Sequence, residues 1–174
     1  MGFMFTGIII KKGADLTDED LLEMFNQQNS YPDDPVTLEE AISSSFKGTA
    51  IARVDDMLVL FGPEVGYTCS FEGNKLSEAD KELESLSKQG DVLSFVINSV
   101  ASTYAWSIFS NGKRIRVKAI EERRILYESG EESKYEKGLT MDDQGIIRLI
   151  ENFTGYPFAE LVFDKKISAA AYNR

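Results

Sequence analysis

The dipeptide Asn111-Gly112 constrains this chain more than any other feature, because strand-forming residues alternate on both sides of it. A two-residue type I′ turn needs positive φ at both central positions, and Asn and Gly reach that region at the least steric cost. Taken literally, the turn sets Ser110 opposite Lys113, Ile108 opposite Ile115, Trp106 opposite Val117 and Tyr104 opposite Ala119. Apart from Phe109 and Ile120, the large apolar side chains then share one side of the hairpin. Arg114, Arg116 and Lys118 share the other. A slip of one residue would exchange the two faces and bury the charges.

Four helices are expected from one repeated start signal, a Ser or Thr followed three residues later by an acid. The hydroxyl accepts an otherwise unpaired backbone N–H, and the acid favours the positive end of the helix dipole. The pairs are Thr17 with Asp20, Thr37 with Glu40, Ser77 with Asp80 and Thr140 with Asp143. Gly48 and Gly90 are expected to stop the second and third helices, and Gly155 with Pro157 the fourth.

Strands are expected from Phe3 to Ile10, Thr49 to Val54, Met57 to Phe61 and Val92 to Asn98, with Asp55-Asp56 making a tight hairpin. Further strands are expected near Ile125 to Glu128 and from Phe158 to Phe163. The predicted fold is α+β, a single domain over residues 1–174 with a mainly antiparallel sheet and about four helices. Its first part has the β-α-β-β-α-β order of a ferredoxin-like unit, with an extra helix in the first crossover, extended by the Asn111-Gly112 hairpin. Residues 130–138, rich in acids, are expected to form a mobile loop.

The chain has 174 residues, ample for one core and cramped for two. A single cysteine, Cys69, excludes an internal disulfide and fits a reducing compartment, so a cytoplasmic location is expected. The apolar start is too short to span a bilayer and has no basic stretch before it, so no membrane association is expected. Met1-Gly2 with Thr6 loosely fits a myristoylation pattern, but the run reads better as a first strand. The formal charge of −10 repels phosphate backbones, disfavours nucleic acid and steers the protein toward basic partners.

Catalytic signatures are missing. The chain contains no histidine, so Ser-His and Cys-His nucleophile systems and imidazole zinc sites are excluded. Gly62-Pro63-Glu64-Val65-Gly66 lacks both the Lys-Ser/Thr ending of a P-loop and the third glycine of a dinucleotide fingerprint. The acid pairs Asp33-Asp34, Asp55-Asp56 and Asp142-Asp143 lack the ligand alternation of a calcium loop. No cofactor and no metal site is therefore expected.

The departure from background is residues 113–127, where six cations stand against two acids. Either Arg114, Arg116 and Lys118 pair with acids of the same molecule, or they form an anion site or a strip for an acidic segment. The expected function is a non-catalytic interaction module for a basic protein. An immunity-type role, capping a basic toxin, is one version, by analogy of charge and size. The rival expectation is a small-molecule or anion-binding domain, which extends to a weak enzyme that works without histidine chemistry.

Overall fold

The computed structural model describes residues 2–164 and 166–173, so Met1 of the Met1-Gly2 pattern lies outside the described residues. The elements, in chain order, begin with strand β1 (Met4–Ile10), helix α1 (Asp18–Met24), β2 (Tyr31–Thr37), one-turn helix α2 (Leu38–Ala41), β3 (Thr49–Val54) and β4 (Met57–Gly62). Helix α3 (Glu78–Leu86), β5 (Val92–Asn98), β6 (Thr103–Ser110), β7 (Lys113–Glu121) and β8 (Arg124–Ser129) follow. Helices α4 (Asp143–Thr154) and α5 (Phe158–Phe163) and strand β9 (Ser168–Asn173) complete the α+β fold.

All nine strands join one sheet in the order β2-β9-β3-β4-β1-β5-β6-β7-β8. Every pairing is antiparallel. β1 is central because its residues are apolar toward both faces: Phe5 and Ile9 join one core layer, and Ile8 and Ile10 the other. The first layer lies under α2, α4 and α5, the second under α1 and α3. In the first, the rings of Phe5, Phe61 and Phe95 meet edge to face at 5.4–6.0 Å. Gly7 makes room for them, since a Cβ there would stand 2.5 Å from the Phe95 ring. Burying each ring stabilises the fold by about 2–3 kcal/mol.

Three of the four expected hydroxyl caps are present. Thr17, Thr37 and Ser77 each accept the backbone N–H three residues on. The fourth helix is capped by Asp142 instead of Thr140, because the Asp142 carboxylate accepts the Gly145 N–H at 3.1 Å. It ends on Gly155 at φ 77°, where a left-handed residue closes the last turn. The second helix stops at Ala41, well before Gly48.

Other expectations fail. Phe158–Phe163 is helix α5, not a strand: its buried residues Phe158, Leu161 and Val162 follow helical spacing. Strands β2 and β9 were not expected. Pro32 and Pro35 disguise β2, and an alanine run disguises β9.

Candidate functional site

The hairpin turn forms as expected, with φ of 52° at Asn111 and 81° at Gly112, and Ser110 pairs with Lys113. One step further in, the expected register breaks. Phe109 pairs with Arg114 but Ile108 pairs with Arg116, so Ile115 is an extra residue in a bulge. Beyond it, Trp106 pairs with Lys118 and Tyr104 with Ile120. The bulge reverses the alternation of β7. Arg114 therefore lies on the α3 face beside Phe109, while Arg116 and Lys118 lie on the opposite face with Trp106 and Ile108. The three cations do not form one strand face.

Arg116 is buried, with a side chain only 4% exposed. Its Nε donates to Glu136 at 2.9 Å, one terminal nitrogen to Glu128 at 2.5 Å, and the other to the Gly130 carbonyl at 2.8 Å. Glu136 also accepts from Trp106 Nε1 at 3.1 Å and from the Ser133 N–H at 2.7 Å. Burial alone would lower the Arg116 pKa, but hydrogen bonds and charge from Glu128 and Glu136 outweigh it, and the guanidinium is held above its ordinary value. The Arg116 hydrogen bond pulls the Glu128 carboxyl below its ordinary range, with Lys118 helping from 3.3 Å.

This network decides the fate of residues 130–138, which are pinned and not a free loop. Lys134–Glu136 forms a 3₁₀ turn with Tyr135 and Glu136 buried. The Tyr135 hydroxyl donates to Asp91 at 2.5 Å and accepts from Lys11 at 3.1 Å, while Ser110 donates to the other Asp91 oxygen. Lys11 lies over the rings of Tyr135 and Phe153. Burial, assisted by nearby Lys134, lowers the Lys11 pKa despite the opposing pull of Asp91. The cluster ties the ends of β1, β5 and β6 to the turn.

On the other face Arg114 closes residues 70–77. Its guanidinium donates to the carbonyls of Ser70 at 2.7 Å and Gly73 at 2.8 Å and stands 3.6 Å from the fully buried Asp80. Asp80 in turn accepts the backbone N–H groups of Ser70 and Ser77. A cavity of about 220 Å³ opens at the bulge, between Asn74 and Leu76 on one side and Arg114, Arg116 and Gly130 on the other. Nearby Cys69 is buried, and that burial together with Asp80 pushes its thiol up to about 12, so it is not a nucleophile near neutral pH.

The opposite end of the sheet carries a feature that spacing rules passed over. Residues 13–46 contain nine acids and neither lysine nor arginine. They form α1, β2 and α2, which wrap the β2 end of the sheet: α1 on one face, β2 along the edge, α2 on the other face. Among the described residues, the one ion pair these acids make is Asp18 with Arg53, at 2.7 Å. Asp18 also accepts from the Tyr172 hydroxyl, which raises that phenol to about 12. Cavities of about 450 and 330 Å³ flank the edge, one beside Tyr31, Asp33, Val36 and Phe46, the other beside Glu19, Leu22, Glu23 and Tyr172. A simple count of charge along the chain would have found this region.

Among the described residues, no group of three or more acids or cysteines is placed to hold a metal ion. No helix is long and apolar enough to cross a membrane. The chain matches no family model, no curated protein and no solved structure.

Proposed function

We propose that this protein is a non-catalytic interaction module whose acidic crossover, residues 13–46, receives a basic protein partner. The reading is carried by one observation: nine acids wrap the β2 end of the sheet, and among the described residues a single cation, Arg53, pairs with any of them. Eight acids thus remain without a cationic partner among the described residues. Complementary charge of this kind speeds encounter and selects against acidic competitors. The two flanking cavities offer apolar walls for partner side chains, at Val36 and Phe46 and at Leu22. An immunity-type role toward a basic toxin fits the same surface, by analogy only.

The test is capture from lysate of the source cell at moderate salt. Wild-type protein is expected to recover a basic partner, and the Glu19→Gln/Glu23→Gln/Asp33→Asn/Asp34→Asn variant to lose it. No partner at all, together with turnover on a substrate panel, would overturn the reading.

Binding of a small anion stands second, supported by the cavity beside Arg114 and Arg116. It requires a guanidinium to leave its present partners, so stabilisation by phosphate or sulfate that vanishes in Arg116→Ala is its test. The architecture belongs to the same proposal. We read one domain throughout and a ferredoxin-like unit in its first part, supported by the antiparallel order β3-β4-β1-β5 with α1 and α3 on one face.

A further inference from the structure

The geometry points to a second interface, at the far edge of the sheet: we propose that β8 pairs antiparallel with β8 of a second copy of this chain about a two-fold axis between Leu126 and Tyr127. A free edge strand offers unpaired backbone groups to any other strand, and proteins that stay monomeric blunt such edges with proline, charge or cover. β2 is blunted in that way, by Pro32, Pro35, Asp33 and Asp34. β8 has no proline and exposes Ile125 at 48% and Leu126 at 60%.

β8 carries a bulge, since Ile120 pairs with Ile125 but Ala119 pairs with Tyr127, leaving Leu126 extra. A bulge also serves to turn an edge away, yet here it selects one self-pairing register. Arg124, Leu126 and Tyr127 lie toward the α3 face, where Leu126 and Tyr127 line a groove of about 400 Å³ with Phe71, Val96, Ala105 and Ala119. Ile125 and Glu128 lie toward the other face, opposite Ile120 and Lys118. Setting Leu126 against Tyr127 of the second copy puts Arg124 against Ser129 and Ile125 against Glu128. Every pair then joins side chains of the same face. A register centred on Leu126 itself would set Arg124 against Glu128 from opposite faces.

Electrostatics names the second copy as the occupant. Two chains of charge −10 repel over most of their surfaces, and the edge where they can meet must be locally balanced. Residues 113–137 supply that balance, with eight cations and six acids. In the paired form the two acidic crossovers stand at opposite ends of one continuous sheet. The β2 strand of each is about 41 Å from the axis along the strand-to-strand direction, several times the Debye length of about 8 Å at physiological salt. The acidic ends remain open for other partners, so the dimer does not depend on the partner reading above.

The interface is small, so association is weak and concentration-dependent. Sedimentation of the wild-type chain is expected to show a mass rising from 19.5 kDa toward twice that value as concentration approaches the millimolar range. Leu126→Lys is expected to weaken this at least roughly tenfold without shifting the melting temperature. Under mild oxidation Leu126→Cys is expected to form a disulfide-linked dimer, whereas Tyr31→Cys on the β2 edge stays monomeric; buried Cys69 does not interfere. A wild-type mass that stays at the monomer value throughout would overturn the proposal. So would a dimer that survives Leu126→Lys, or cross-linking as ready through Tyr31→Cys as through Leu126→Cys.

Discussion

At the β2 end, residues 13–46 contribute nine acids and no lysine or arginine, whereas residues 113–137 at the β8 end hold eight cations and six acids, several of them paired inside the fold. The acids of the crossover lie mostly in water, where a charge costs little and contributes little to stability. The Arg116–Glu136 pair is dry, where each charge depends on the other. The same residue types therefore serve solubility and recognition at one end and structure at the other. Burial sets the difference.

The strongest way to break that contrast is Arg116→Ala. It strands Glu136 in the interior and should cost about 3–5 kcal/mol in urea unfolding. Replacing the pair together, as Arg116→Met/Glu136→Leu, should recover most of the loss. A single variant costing under about 1 kcal/mol would place the pair in the same class as exposed ones. Trp106→Phe keeps the ring packing but removes the indole donor to Glu136, and a loss of roughly 1.5–3 kcal/mol is expected, as for hydrogen bonds to charged groups.

A pH titration sharpens the comparison. Arg116 holds the Glu128 carboxyl below its ordinary range. Its stabilising contribution is therefore complete above the unfolded value of about 4.3 and is lost as pH falls through the lower folded value. Glu128→Gln should flatten the acid limb of the stability curve in that window and leave neutral-pH behaviour nearly unchanged in slope. An unaltered acid limb would show that Glu128 is not coupled to Arg116. The smallest effect belongs to the β2 end: Asp33→Asn/Asp34→Asn should shift stability by no more than about 0.5 kcal/mol. A larger loss would mean these acids hold structure after all.

Local features were legible where local chemistry decides them. The turn at Asn111-Gly112, the hydroxyl caps at Thr17, Thr37 and Ser77, and the hairpin at Asp55-Asp56 all form where their residues stand. The expected face of Arg114, Arg116 and Lys118 does not form, because one extra residue at Ile115 changes every side chain beyond it. Nothing in the residue pattern of β7 marks that bulge. What favours it is remote: with it, Arg116 and Trp106 reach Glu136, some twenty to thirty residues later in the chain.

The amino-acid order by itself determined the turn chemistry, most helix starts, the lack of histidine chemistry and the uneven spread of charge, since each depends on neighbouring residues or on composition. Only the tertiary structure decided which cations are buried, that Phe158–Phe163 coils, that β2 and β9 extend one end, and which edges are left open. Those outcomes turn on partners far apart in sequence. A buried charge goes where its counter-charge can be brought to it, and only the folded chain brings the two together.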